Sequence, residues 1–188
     1  MESLMTKPVL TQEFIKSVLD YNPDTGDFFW KARTPDTFKT GKRTQEHSCN
    51  KWNARYAGKV AGGFNDEGYI NICMRGILYR AHVIAWFYMT AEYPTTDIDH
   101  VDGDRKNNCF SNLRLASRSQ NISNSKKSVN NTSGYKGVCF SKRDGKFVAQ
   151  IKCNKKRYHL GYYNNPEEAH TAYCEAAKKF FGDFARFE

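Results

Sequence analysis

Short apolar runs separated by polar turns fill the first 90 residues. Apolar residues recur at helical spacing over 11–20, and a Pro-Asp-Thr-Gly turn then leads into an aromatic strand. Residues 33–55 are polar, basic and without periodicity, which predicts a long loop. Between 57 and 80, apolar runs broken by glycine predict a small antiparallel sheet. The following helix, 82–89, is apolar almost all round and is therefore expected to be buried.

The middle of the chain has the pattern strand, loop, strand, helix. The first strand ends in Asp99 and His100, and a turn-rich loop with several Asp, Asn and Gly residues follows. A second strand is predicted over 113–116, directly after Asn112, and a capped helical turn then carries Asn121. This order predicts that one aspartate, one histidine and two asparagines converge on one place.

The C-terminal region is predicted to be a three-stranded antiparallel sheet packed on one helix. The strands are 137–141, 146–153 and 157–163, joined by turns of the hairpin type. Asn165 can cap the helix, which carries an apolar stripe at helical spacing and ends at Gly182.

Side chains of the predicted sheet alternate between two faces. The apolar residues of its middle strand can face the helix, which leaves a polar and basic outer face. That outer face carries Lys146, Gln150, Lys152, Arg157 and His159. An exposed face of this kind can contact phosphates and guanine edges in a DNA major groove, or it can be an ordinary solvated surface.

The predicted fold class is α+β. We predict a first domain over 1–121, made of an N-terminal helix and small antiparallel sheet (10–90) and a core of two strands and a helix (97–124). An Asn/Ser-rich linker over 122–134 then separates it from a second domain at 135–188.

Charge is distributed unevenly over the 188 residues. The first 100 residues contain 12 Lys and Arg and 12 Asp and Glu, so the net charge of +9 lies in the second half. A basic segment that also contains aromatic residues is typical of nucleic-acid-binding proteins, although a merely solvated basic surface has the same composition.

The six cysteines are scattered without a close pair, so we expect no structural zinc and no disulfide framework. No apolar run is long enough to cross a bilayer, and the start, MESLMTKPVL, lacks the features of a signal peptide. We therefore expect no membrane partner and a cytoplasmic protein, in the host-cell cytoplasm if it is phage-encoded.

The central residues could together hydrolyse a phosphodiester. Such a reaction needs an activated water, charge neutralisation at the phosphate and stabilisation of the leaving oxygen. A neutral His100 can accept the proton of the water, and Asp99 and the amide oxygen of Asn121 can ligate a hard divalent cation. Asn112 would hold the loop and orient His100. His82, at the start of a buried helix, is expected to have a structural role.

These residues resemble a known family. The motifs DHxxGD, NNxxxNLR and SRSQN are similar to the ββα-metal core of HNH endonucleases of the phage and homing type, and the resemblance spans Leu10 to Asn124. It implies His100 as general base, Asp99 and Asn121 as ligands of one divalent ion, Mg²⁺ or Mn²⁺, and Asn112 as the residue that orients the histidine loop.

The C-terminal part resembles a second family, the ethylene-response-factor (Apetala-type) DNA-binding domain. The resemblance covers Ser133 to Phe187, through SGYKGVCF, DGKFVAQI, KRYHLGYYNNPEEAHTAY and FFGDFARF. It implies that the outer sheet face lies in a DNA major groove. Cys139 and His159 stand where the plant pattern has arginine and tryptophan, so the plant target sequence does not transfer.

The sequence thus predicts a metal-dependent endonuclease that cuts double-stranded DNA and is targeted by its C-terminal domain. The alternative is a non-cleaving DNA-binding transcriptional regulator that keeps an HNH scaffold. The presence of all four chemical groups favours the endonuclease. RNA binding is disfavoured because the sheet lacks the paired aromatic residues of an RNA-recognition motif. Monomer and homodimer both remain open.

Overall fold

The structure, a computed structural model, describes residues 10–188 and forms two compact units. The first unit contains 10–94 and 105–113, and the second contains 95–104 and 114–188. In the described part, every helix is too short or too polar to span a bilayer. The signal-peptide prediction concerns the chain start, of which residues 1–9 lie outside the described residues.

Within the described residues, the first unit combines three α-helices with two small sheets. Its elements are α1 (Gln12–Val18), β1 (Leu19–Tyr21), β2 (Phe28–Trp30), α2 (Gln45–Tyr56), β3 (Gly63–Phe64), β4 (Ile70–Met74), β5 (Ile77–Arg80) and α3 (Ala81–Thr90). Strands β1 and β2 pair antiparallel, as do β3, β4 and β5 in that order. The predicted sheet and the buried helix α3 are confirmed, and Thr11 caps α1 by accepting from Phe14 N at 3.2 Å.

Residues 33–55, expected to be a long loop, include most of helix α2, so that prediction is wrong. Cys49 alone is buried in this helix, which is why the sequence shows no apolar stripe. Polar contacts to the preceding segment stabilise it instead. Asn53 exchanges two hydrogen bonds with the backbone of Arg33, at 2.8 and 2.9 Å, and the Arg33 guanidinium lies 4.0 Å from the centre of the Trp52 ring.

The Asn-rich segment 105–113 is anchored in the core of the first unit. Asn108 is 1% exposed, and its carbonyl accepts a hydrogen bond from the Tyr21 hydroxyl at 2.6 Å. Burial, with a smaller effect of Cys109, raises the pKa of Tyr21, so this phenol stays protonated as a donor. Gly26, at φ +77°, packs so closely that a Cβ there would lie 2.4 Å from the carbonyl carbon of Asn108.

The second unit carries the predicted core strands and the C-terminal sheet. Its elements are β6 (Asp97–His100), β7 (Leu113–Ala116), α4 (Arg118–Asn124), β8 (Val138–Ser141), β9 (Lys146–Cys153), β10 (Lys156–Tyr163) and α5 (Pro166–Phe181), with Leu113 at the boundary between the units. Strands β6 and β7 pair with each other. Ser117 forms a capping box with Gln120, and α4 then continues to Asn124, so the first three residues of the predicted linker are helical.

The C-terminal strands pair antiparallel in the order β10-β9-β8, and α5 packs on one face of them. Ala149 and Ile151 of β9 are buried together with Ala169, Tyr173 and Ala177 of the helix. The predicted α+β class and the C-terminal sheet on one helix are both confirmed.

Candidate active site and nucleic-acid interface

Helix α4 lies along strand β6 and places two asparagines opposite two aspartates. Asp97 and Asp99 share one side of β6 because side chains two apart on a strand point the same way. Residues three apart on a helix lie on one face, about 4.5 Å apart along its axis, so Asn121 and Asn124 can each face one of the two aspartates, which lie about 6.6 Å apart along the strand. The Asn121 amide nitrogen lies 3.4 Å from Asp97, whereas that of Asn124 lies 3.0 Å from both carboxylate oxygens of Asp99. The structure therefore brings Asn124, rather than Asn121, against Asp99.

Asp99 is a buried carboxylate with a buried cationic partner. It is 4% exposed, and Arg114 Nε donates to its Oδ2 at 2.9 Å, with Nη2 at the same distance from that oxygen. A carboxylate removed from water is tolerated only when charge and hydrogen bonds compensate its lost hydration. Arg114 supplies the charge and Asn124 the additional donor.

His100 and Asn112 belong to different units. His100 is 5% exposed, and its carbonyl accepts from Asn124 Nδ2 at 2.6 Å and from Gly103 N at 2.9 Å, which fixes the end of β6. Asn112 is 9% exposed and donates from Nδ2 to the Asn107 carbonyl at 2.8 Å, so it holds the Asn-rich loop. His82 is also buried, with its ring 5.2 Å from that of Tyr69.

Asp99 offers carboxylate oxygens, the ligand type that a hard divalent cation prefers, and in the structure these oxygens accept hydrogen bonds from Arg114 and Asn124. Among the described residues, no three His, Cys, Asp or Glu side chains come together as a metal site, so a cation here would depend on amide and water oxygens as well. Oδ2 of Asp99 is engaged by Arg114, while Oδ1 accepts, among the contacts of 10–188, only from Asn124. One carboxylate with amide oxygens and water suits Mg²⁺, which retains several waters in proteins.

The outer face of the C-terminal sheet carries the five predicted DNA-contact residues together. Lys146, Gln150 and Lys152 alternate along β9 on the side away from α5. In the register of the sheet, Arg157 of β10 pairs with Lys152, and His159 pairs with Gln150. All five side chains are exposed or half-buried, so the face is open to a ligand.

Tyr162 is an additional residue on this face that the sequence reasoning missed. A bulge between His159 and Gly161 shifts the alternation of β10, which puts Tyr162 on the same side as His159. Their ring centres are 4.7 Å apart, and Tyr162 is 47% exposed. A glycine inside a predicted strand is the signal that could have indicated the bulge.

An open groove adjoins this face and reaches the start of α4. Its volume is about 400 Å³, and its lining residues are Ser117, Arg118, Ser119, Ile122, Lys152, Asn154 and Lys155. The Asn154 amide donates to the hydroxyl of Ser119 at 3.1 Å, so the β9–β10 turn contacts α4. Three cationic side chains and two hydroxyls in one groove form a surface suited to phosphate.

Lys136 connects the end of α4 to the C-terminal end of the chain. Its Nζ donates to the carbonyls of Ser123 and Ser125, at 2.5 and 2.6 Å, and to that of Arg186 at 3.0 Å. Burial and the charge of Arg186 lower the pKa of Lys136 to about 8. Composition gave no reason to single out this lysine, because its partners are backbone groups distant in the chain.

Comparison with known proteins finds a family match for the segment that carries Asp99 and for the C-terminal sheet. Residues 79–122 match the model of an HNH endonuclease family, and residues 133–183 match the AP2 domain. Protein 3.8 of Escherichia phage T7 is 31% identical over 109 residues, which cover 57% of this chain and 89% of that protein. The segment that matches HNH endonucleases contains Asp99, His100, Asn112 and Asn121, and the segment that matches the AP2 domain contains the whole basic sheet face. An endonuclease domain joined to a DNA-binding domain indicates a DNA nuclease. The chain belongs to the family of phage T7 Protein 3.8 and carries an HNH endonuclease domain followed by an AP2 domain.

Proposed function

We propose that the protein is a divalent-metal-dependent endonuclease of the homing type that hydrolyses double-stranded DNA at sites selected by its AP2 domain. The observation that carries this proposal is the buried Asp99 carboxylate, adjacent in the chain to His100 and contacted by the Asn124 amide of α4, inside the segment that matches HNH endonucleases.

His100 is the proposed general base. A neutral imidazole can accept the proton of a water that attacks the phosphorus, and the bond to the leaving sugar oxygen then breaks. The hydrogen bonds to the His100 carbonyl hold the backbone at the end of β6, so the position from which the imidazole ring extends is fixed. Since the side chain is largely buried in the DNA-free chain, this role requires that bound DNA and water reach it. Asn112 is proposed to orient the histidine loop.

Asp99 and Asn121 are the proposed metal ligands. They would hold Mg²⁺ or Mn²⁺, which would supply charge neutralisation at the phosphate and at the leaving oxygen. The location of Asn121 on the helix that lies along β6 supports this assignment, and the position of Asn124 against Asp99 makes it a second amide to test.

DNA binding is proposed to use the outer face of β9 and β10. Lys146, Lys152 and Arg157 would contact phosphates or guanine edges, and Gln150 and His159 would contact base edges. The groove that contains Arg118 and Lys155 extends this basic surface to α4. Because the groove reaches the nuclease motif in the same unit, one duplex contacting both is the arrangement we propose.

Supercoiled plasmid tests the proposal against its alternative. We expect conversion to open-circular or linear DNA with Mg²⁺ or Mn²⁺ and none with EDTA. A non-cleaving regulator would retard the plasmid in a gel but leave it supercoiled with every divalent cation, and that result would refute the nuclease activity.

A further inference from the structure

Arg114 contacts both Asp99 and the C-terminal segment, defined here as residues 182–188. On one side, Nε and Nη2 lie 2.9 Å from Oδ2 of Asp99. On the other side, Nη1 donates to the Asp183 carbonyl at 3.1 Å, and the guanidinium lies 3.7 Å from the centre of the Phe184 ring. The guanidinium therefore has partners on its edges and on its face.

The C-terminal segment is itself attached to the nuclease motif. Arg186 Nη1 donates to the carbonyl of Asp102, in the turn that follows β6, at 3.0 Å. The Arg186 carbonyl accepts from Lys136, which also holds the end of α4. The segment that follows the last helix of the AP2 domain thus contacts Arg114, the ion-pair partner of Asp99, and the turn that follows β6.

We propose that Arg114 is a positioning residue for Asp99, and that the C-terminal segment holds Arg114 in the required orientation. The inference rests on the proposed function. Arg114 and Asn124 both donate to Oδ2, whereas Oδ1 accepts from Asn124, so Oδ1 would be the oxygen offered to a cation in the proposed site. A lysine cannot replace it, because only a planar guanidinium can donate from two edges while stacking on a ring. The AP2 domain then contributes to cleavage as well as to DNA binding.

The test uses the full-length chain with Arg114→Lys, Arg114→Gln and Phe184→Leu. Calorimetric titration with Mn²⁺ alone measures cation affinity, and single-turnover cleavage of a duplex measures the rate. We expect Arg114→Lys and Arg114→Gln to weaken Mn²⁺ binding and to slow cleavage at least about tenfold each. We expect Phe184→Leu to reduce both by a smaller factor, with the dissociation constant for DNA changed less than about twofold in all three variants.

Arg75→Lys is the matched control. Arg75 lies 3.7 Å from the centre of the Phe14 ring, the same separation as Arg114 from Phe184, but no carboxylate pairs with it among the described ion pairs. This variant should keep the Mn²⁺ affinity and the cleavage rate of the wild type. Far-ultraviolet circular dichroism checks folding, and Phe184→Leu keeps the test valid if Arg114→Gln does not fold.

Wild-type Mn²⁺ affinity and cleavage in both Arg114→Lys and Phe184→Leu would overturn the inference. A wild-type protein that binds Mn²⁺ but cuts no DNA would refute the proposed function alone, since the Mn²⁺ titrations would still test Arg114. A wild-type protein that does neither would refute both.

Discussion

Asn124 donates from one amide nitrogen to both carboxylate oxygens of Asp99, at 3.0 Å each. The same nitrogen lies 2.6 Å from the His100 carbonyl, so one buried side chain holds two consecutive residues of the motif. Asn121, one turn earlier on α4, instead contacts Asp97. The two asparagines should therefore respond differently to substitution.

Asn124→Ala should lower the free energy of unfolding by about 2 kcal/mol, because it leaves a buried carboxylate and a buried carbonyl without this donor. Asn121→Ala should change stability by less than about 0.5 kcal/mol, since its contact is long and partly exposed, yet reduce cleavage at least about 100-fold if Asn121 is a ligand. Urea denaturation and cleavage rates of both variants measure this. Full activity in Asn121→Ala would remove it from the proposed metal site.

Gly26→Ala should be far more harmful than Gly58→Ala. Both residues have positive φ, at +77° and +72°, so both substitutions incur backbone strain of about 1 kcal/mol. At Gly26 the new Cβ would also collide with the backbone of Asn108, whereas at Gly58 nothing lies within 4 Å. We expect a thermal midpoint several degrees lower for Gly26→Ala than for Gly58→Ala. Equal midpoints would mean that the Asn-rich loop does not depend on this close packing.

Lys152→Gln with Arg157→Gln should weaken DNA binding and reduce its salt dependence. Each lost phosphate contact should lower the slope of log K against log salt by about 0.9. Lys178→Gln with Lys179→Gln removes the same charge from the last turn of α5, on the helix that covers the other face of the sheet, and is the control. Fluorescence anisotropy over a salt series measures both slopes. An equal reduction of the slope in both double variants would indicate that DNA is attracted to the net charge of the protein and not to this face of the sheet.

Lys136→Met should destabilise the protein by about 1–3 kcal/mol at neutral pH, because three carbonyls lose their donor. The pKa of Lys136 is about 8 in the folded protein, below its ordinary value of 10.5, so between these values the unfolded chain binds more protons. The contribution of the lysine to stability should therefore rise as pH increases from 8 to 10.5 and stay constant below 8.

Urea denaturation of wild type and Lys136→Met across this pH range measures the difference between their free energies of unfolding. A difference that stays flat from pH 8 to 10.5 would show that the folded protein keeps the ammonium form with an ordinary pKa.

The local pattern of apolar and polar residues was sufficient to predict the C-terminal sheet. Apolar and polar side chains alternate along its strands with a period of two. The turn between β9 and β10 consists of Asn154 and Lys155, both with positive φ, and the polar residues at this position predicted a turn. The caps at Ser117 and Asn165 were also predictable because each hydrogen bond spans only three residues. The AP2 and HNH resemblances agree with the family matches.

Long-range contacts were not predictable from pattern. Helix α2 was missed because Arg33 and Asn53, rather than an apolar stripe, hold it. The resemblance implied Asn121 as a metal ligand together with Asp99, whereas the alignment of α4 with β6 decides which asparagine contacts the Asp99 carboxylate directly. Contact between Arg114 and the C-terminal segment joins residues about 70 positions apart, for which no local signal exists.

Single-turnover cleavage of a labelled duplex by wild type, His100→Ala and Asp99→Ala at saturating protein, with binding measured on the same samples, tests the central claim most directly. We predict that His100→Ala binds the duplex within about twofold of wild type and cuts it about 100- to 10,000-fold more slowly, as loss of a general base requires. We predict that Asp99→Ala loses metal-dependent cleavage. Cleavage by His100→Ala at the wild-type rate, or metal-dependent cleavage that survives Asp99→Ala, would contradict the account.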